Sequence, residues 1–227
     1  MNKKKTLLSW SSGKDSAWTL YQLQQSDDVE LVGLVTTVNQ THQRVAMHAV
    51  RVELLKQQAI AADLPLHIIN IPHPCSNQQY EQAMTNFFSS IAGKGITHMA
   101  FGDLYLEDIR QYRVDNLSKT TLQPLFPLWL KPTKQLAQDM LAAGLKTRIT
   151  CVDPKQLPAD FCGREFNQKF LDDLPDNVDP CGENGEFHSF AHAGPMFKNE
   201  IQIKTGERVE RDGFVFSDLL LVENKNG

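Results

Sequence analysis

The chain has 227 residues and only four cysteines, Cys75, Cys151, Cys162 and Cys181. None forms a Cys-x-x-Cys pair, so a structural zinc or an iron–sulfur site has little support. In a chain this long, scattered thiols read as free rather than as a disulfide framework. No apolar run approaches the length of a membrane span. No signal-like segment precedes the first apolar stretch, so the expectation is a cytoplasmic protein with no membrane partner. Excess positive charge is also missing. Lysine and arginine number 23 against 27 acidic residues, for a net charge of -4 and a pI near 6.0. That balance argues against a nonspecific nucleic-acid binder, whose footprint is basic. Lys3, Lys4 and Lys5 are a short basic start, read as a solvated N-terminus. There is no internal repeat and no low-complexity segment. What remains is enough chain for one large domain or one and a half, with a sizeable core.

The most informative stretch lies near the start. Thr6, Leu7, Leu8, Ser9 and Trp10 suit a short buried strand, and Ala17, Leu20 and Tyr21 fall on one side of a helix. Between them Ser11, Ser12, Gly13, Lys14, Asp15 and Ser16 make a tight polar turn. A strand feeding a helix through such a turn aims backbone N–H groups and the positive helix end at one point, which is how proteins hold phosphate. Lys14 adds a point charge, and Ser11 and Ser16 add hydroxyls. A Walker A loop is excluded, because Leu8 stands where that motif has glycine and Asp15 where it has Ser or Thr. The string instead resembles the PP-loop, Ser-Gly-Gly-x-Asp-Ser, of the ATP pyrophosphatases. The resemblance implies an adenine-nucleotide α-hydrolase-like fold. It also implies cleavage of ATP between the α and β phosphates, with AMP passed to an acyl or carbonyl oxygen. Ser12 departs from the pattern, standing where the family usually has its first glycine. Serine is disfavoured there if φ is positive. Taken alone, the loop also reads as an ordinary β-turn-α corner with a serine cap.

Downstream, residues 29–38 and 66–71 are apolar and β-branched, so buried strands. Residues 39–45 are polar and predicted as a loop. Helices are expected from about Val50 to Ala61 and over the run marked by Tyr80, Met84, Phe87, Phe88 and Ile91. Residues 97–101 are a fourth strand, 106–119 a helix, and 122–128 a short strand broken by Pro124 and Pro127. Beyond Trp129, expected at the core of a domain junction, the character changes. Residues 133–143 read as a helix with a threonine cap, 146–152 as a strand, 153–163 as a loop and 164–174 as a helix. Strands are expected at 187–192, 200–203 and 214–221. The predicted class is α/β. A doubly wound, mainly parallel, Rossmann-like sheet over residues 1–128 is the expected ATP-binding domain. Residues 129–227 form a smaller C-terminal α+β region for the substrate. Ligands in such sheets sit at the carboxyl ends of strands. That edge gathers the 11–16 loop, the segment at Thr36, and Gly102 with Asp103.

The second region holds one dense polar motif: Cys181, Gly182, Glu183, Asn184, Gly185, Glu186, Phe187, His188 and Ser189. The glycines permit positive φ and close approach to a ligand. Glu183 and Glu186 could hold Mg²⁺, bind ammonium, or accept a proton from an attacking amine. Equally, the segment could be a glycine-rich hairpin with two solvated glutamates. Gly-Glu-x-Gly-Glu-Phe followed by Gly194, Pro195, Met196 and Phe197 resembles the C-terminal signature of the diphthine–ammonia ligase family. Met47 and His48, Gly102 and Asp103, Arg113 and Val114, and Pro127, Leu128 and Trp129 match further elements of that family in order. Asn184 replaces a glycine of the pattern, and His188 stands where a Glu is usual.

The resemblance implies an ATP-dependent ligase. A substrate carboxylate is adenylated with loss of pyrophosphate, and ammonia then displaces AMP to leave an amide. The implied cofactors are ATP and Mg²⁺. The implied acceptor is a carboxylate, carried on elongation factor 2 where the source makes diphthine. With 227 residues leaving no room for a glutaminase, free ammonia or an amine is the expected donor. Candidate catalytic residues are Lys14, Asp15, Glu183 and Glu186. Candidate nucleotide contacts are Ser11, Ser12, Gly13, Lys14, Asp15, Ser16, Thr36, His48, Gly102, Asp103 and Arg113, with Asp15 and Asp103 as candidate Mg²⁺ ligands. His48 reads equally as a helix cap, and Arg113 as a surface charge. His67, His73 and His98 have no partner in ligand spacing and read as structural. Rival readings are a sulfur-inserting tRNA enzyme, another adenylating enzyme for a bacterial carboxylate, and a nucleotide sensor of the universal-stress type. Apolar edge strands near the C-terminus are compatible with a homodimer.

Overall fold

The computed structural model describes residues 2–40, 44–45 and 50–222. Its first sheet is built on β1 (Lys4–Ser9), flanked in parallel by β2 (Val29–Asn39) and β5 (His98–Ala100). The two-residue β3 (Arg44–Val45) adds antiparallel to the end of β2, within the stretch expected to be a loop. β4 (Leu66–Ile71) pairs in parallel with β2, and β6 (Gln123–Leu125) with β5. Helices α1 (Lys14–Gln24), α2 (Val52–Ala62), α3 (Asn77–Ile91) and α4 (Glu107–Ser118) make the crossovers. In β1 the adjacent Leu7 and Leu8 are both 0% exposed. Both faces of the strand are therefore covered, as a parallel sheet requires. Leu8 packs in one core cluster with Leu20 of α1 and Leu54 of α2. Leu7 packs on the opposite side with Ile91 of α3 and Leu117 of α4. The chain winds outward from β1 through β2 to β4, then returns to β1's other side. The switch point therefore lies beside the carboxyl end of β1, where such sheets bind ligands.

A second, antiparallel sheet follows, ordered β8 (Phe187–Ala193), β7 (Lys146–Val152), β10 (Phe214–Leu221), β9 (Ile203–Arg211). α5 (Thr133–Ala142) precedes it, and the short α6 (Gln168–Asp172) lies between β7 and β8. Phe166, Phe170 and Phe187 stack at its centre, with Phe170 and Phe187 centroids 5.2 Å apart edge to face. These rings belong to the same core cluster as Leu8 and Leu54. Burial of each contributes about 1.5–3 kcal/mol.

Several local expectations fail for identifiable reasons. The helix expected over 164–174 shrinks to α6, because Glu165 bridges to Arg148 in extended form and Asn167 caps the helix, accepting from Phe170 N at 2.9 Å. α5 has Pro132, not a threonine, at its N-cap, with no side-chain cap bond. The strand expected at 200–203 is instead the longer β9. Its charged sequence hides it, because little of it is buried. Asp212 and Gly213, at φ 54 and 81, turn β9 into β10. Two successive positive φ values are the signature of a tight hairpin turn. The outer edge of this sheet is thus β9, with Lys204, Glu207, Arg208, Glu210 and Arg211 exposed. Edge charges oppose pairing with another strand. The apolar edge that suggested a dimer is therefore not present on β9. Trp129 is only partly buried, beside Phe126, and Leu128 fills the core position instead. No helix among the described residues is long and apolar enough to cross a membrane.

Candidate active site

Ser11, Ser12 and Gly13 link β1 to α1 at the switch point. Ser11 Oγ donates to Ser16 Oγ at 3.2 Å and accepts from Gly13 N at 3.4 Å, while Ser16 Oγ donates to Gly13 O at 3.0 Å. Ser12 has φ 74. The position where the PP-loop pattern has glycine does adopt the left-handed conformation, and a serine occupies it at about 1–2 kcal/mol of backbone strain. Its Oγ is buried and has no hydrogen-bond partner among the described residues.

Lys14 is 3% exposed, turned inward rather than toward solvent. Its Nζ donates to Asp15 Oδ2 at 2.8 Å and, in a short contact, to Cys181 O. Burial alone would favour neutral lysine. The Asp15 and Glu183 carboxylates outweigh it and hold the pKa above the ordinary value, so the ammonium is retained. Burial pushes the Asp15 carboxyl up, with Lys14 pulling against it. Among the described residues, Asp15 Oδ1 is left without a hydrogen-bond partner. Lys14 N donates to Ser189 Oγ at 3.1 Å, and Ala191 N to Ser12 O at 2.9 Å. The C-terminal sheet therefore docks on the loop through β8.

The 181–189 segment is not a solvated hairpin. Glu186 is 1% exposed, and its Oε1 accepts from Asp179 N and from Asn184 Nδ2, each at 3.0 Å. Its Oε2 has no hydrogen-bond partner among the described residues. Glu183 Oε1 accepts from Leu104 N at 2.8 Å, tying this segment to the turn after β5. Burial raises the Glu183 carboxyl to about 7, against the pull of the Leu104 N–H and with a further push from Asp15. Tyr105 Oη lies 3.2 Å from both Asp179 Oδ2 and Asn184 Oδ1, which share its single proton. Asn184 is therefore used in a way that a glycine could not be. Gly182, at φ +68, has no room for a side chain, since a Cβ would lie 2.9 Å from Phe187 O.

Gly102 brings the end of β5 against α1. A Cβ there would lie 3.1 Å from Asp15 C and O and from Thr19 Oγ1. Asp103 lies 3.5 Å from Arg113 Nε, and burial raises its pKa against that guanidinium. Arg113 also stands 5.3 Å over the Phe101 ring. It lines a cavity of about 460 Å³ between α3 and α4, floored by Met99 and Phe101. Thr36, near the end of β2, is buried, with its hydroxyl lacking a partner among the described residues. Met47 and His48 lie outside the described residues. Among the described residues, no group of three or more His, Cys, Asp or Glu side chains is arranged to hold a metal. The four cysteines are free thiols, and burial raises the pKa of Cys181, next to Lys14.

Sequence reasoning missed Gln58, Tyr105 and Asp179, and quoted Ser189 within the polar motif without giving it a role. A helical glutamine or a strand serine carries no local signal. Tyr105 and Asp179 flank recognised motifs, and only that nearness could have marked them.

Family models match both halves of the chain. The diphthamide synthase N-terminal domain covers residues 4–121 and the diphthamide synthase C-terminal domain residues 132–219. Diphthine–ammonia ligase of Bos taurus is 31% identical over 118 residues, which are 49% of this chain and 44% of that protein. The Homo sapiens protein of that name is 30% identical over 118 residues, again 49% of this chain and 44% of the relative. The Schizosaccharomyces pombe protein is 31% identical over 110 residues, 46% of this chain and 18% of its own length. The chain thus spans about half the length of the animal relatives, and less of the yeast one. With models matched on both sides of the site, the chain belongs to the diphthamide synthase family.

Proposed function

We propose that the protein adenylates a substrate carboxylate with ATP and converts it to an amide with ammonia. Diphthine, which the names of the relatives carry, is the first acceptor to test, on elongation factor 2 where the source has it. The observation that carries the reading is the joining of the two motifs. Lys14 of the loop is bonded to Cys181 O of the glutamate-bearing segment, 167 residues away. Phosphate chemistry and amine chemistry can therefore share one site.

In the first step a carboxylate oxygen forms a bond to the α-phosphorus while the bond to the pyrophosphate oxygen breaks. The loop N–H groups at the start of α1 and the Lys14 ammonium stabilise charge on the departing pyrophosphate. Asp15 suits a magnesium arriving on the triphosphate, having one buried carboxylate oxygen with no hydrogen-bond partner. Asp103 suits it on the same ground, since its Oδ2 is buried with no hydrogen-bond partner among the described residues, although Arg113 Nε lies 3.5 Å away. Magnesium so bound would neutralise phosphate charge. In the second step the ammonia nitrogen bonds to the acyl carbon, AMP leaves with the carbon–oxygen bond electrons, and the nitrogen loses a proton. Glu183, titrating near 7, is suited to take that proton. Glu186 offers its unpaired Oε2 to ammonium. We assign residues 1–128 to ATP and 129–227 to the acceptor, meeting at β8 and the loop.

The test is chromatography of the products formed from ATP, magnesium, ammonium and a panel of carboxylates that includes diphthine. AMP, pyrophosphate and an amide are expected. ADP and phosphate would refute the assignment.

A further inference from the structure

Gln58 of α2 is 0% exposed, and its side-chain hydrogen bonds among the described residues run to the phosphate loop and its neighbours. Nε2 donates to Ser12 O at 2.9 Å and to Ala191 O at 2.7 Å, and Oε1 accepts from Trp10 Nε1 at 2.8 Å. Ser12 O also accepts from Ala191 N at 2.9 Å. One carboxamide therefore clamps the end of β1, the loop and β8. It does so at the residue with φ 74.

We propose that Gln58 is a positioning residue for phosphate binding, fixing the Ser12–Gly13 peptide so that its N–H faces the nucleotide. The proposal rests on the reading of residues 11–16 as a phosphate loop. In a trans peptide the carbonyl and the N–H point in opposite directions. With Ser12 O held inward by two donors, Gly13 N–H points away from Gln58. Its partner there is Ser11 Oγ at 3.4 Å, a bond long enough to yield to a phosphate oxygen. Serine at positive φ is unfavourable by itself, so something must hold it there. Released from Gln58, Ser12 can return to negative φ and the peptide can turn with it. A glycine at that position would need no such clamp.

The test is calorimetric ATP affinity in the presence of magnesium, for wild type, Gln58→Met, Gln58→Met with Ser12→Gly, and Trp10→Phe. Thermal unfolding serves as the fold control. Gln58→Met keeps the length and removes all three side-chain bonds, leaving Ser12 O to Ala191 N alone. It should weaken ATP binding by about tenfold, the scale of the one neutral hydrogen bond lost at Ser12 O. Ser12→Gly in the same chain should recover most of the loss, which a purely structural defect in α2 would not allow. Unchanged affinity in Gln58→Met, or no recovery in the double variant, overturns the proposal. Should Gln58→Met fail to fold, Trp10→Phe decides. It frees the carboxamide to rotate, so a loss of about threefold supports the clamp, and unchanged affinity overturns it. A wild type that binds no ATP refutes the phosphate loop itself and takes the role of Gln58 with it.

Discussion

Replacing Glu183 with glutamine isolates the charge of the proposed base. The amide oxygen can still accept from Leu104 N, now 2.8 Å from Oε1, so the segment should keep its place. What disappears is a carboxyl that burial has raised to about 7. Such a group is roughly one-tenth ionised at pH 6 and nine-tenths at pH 8, so the amidation step in wild type should rise about tenfold across that interval. Glu183→Gln should lose that limb and run roughly 10²-fold slower at the upper end, the usual scale for losing a general base. The assay is amide formation with free ammonia held constant across the pH series, so that ammonium titration does not imitate the limb. Stability gives a second readout of opposite sign. A carboxyl whose folded pKa lies above its unfolded value stabilises the fold below the ordinary carboxylate range, and that contribution is lost as pH rises toward 7. The glutamine variant should lack this decline in urea melts. A variant with the wild-type pH–rate limb and wild-type rate would refute the assignment of Glu183 as base.

Three further outcomes follow from the geometry. Lys14→Ala strands Asp15 beside Cys181 O without its cation, and should lower stability by about 3 kcal/mol in urea titration; a loss under about 0.5 kcal/mol would sink the inward-facing role. Gly102→Ala pushes a methyl to 3.1 Å from the Asp15 backbone, and should cost about 1–3 kcal/mol and weaken ATP binding, with wild-type melting and affinity as the contrary result. Glu186→Gln should leave ATP affinity within about 1 kcal/mol while amide formation falls roughly 10²-fold; a fully active variant shows that its buried carboxylate plays no part in the chemistry.

The β1–loop–α1 corner was legible because its causes are local. Apolar residues, then small polar ones, then helical spacing follow one another within a few turns of chain. The same holds for the alternation of strands and helices through residue 125. Legibility failed where surface and core signals conflict. β9 looks polar because little of it is buried. Residues 164–167 look helical but extend along Arg148 to form a bridge and a cap.

The sequence by itself determined the chemistry on offer: a phosphate-type loop, two glutamates flanked by glycines, no thiol pair and no basic face. It also marked Ser12 as the residue in tension with the pattern, since φ preferences belong to residue type. Only the tertiary structure decided where each group points. It turned Lys14 inward to Cys181 O and raised Glu183 to about 7 by burying it near Asp15. It also recruited Gln58 to hold a strained serine. Those outcomes depend on desolvation and on contacts between residues more than 40 positions apart, which no local pattern encodes.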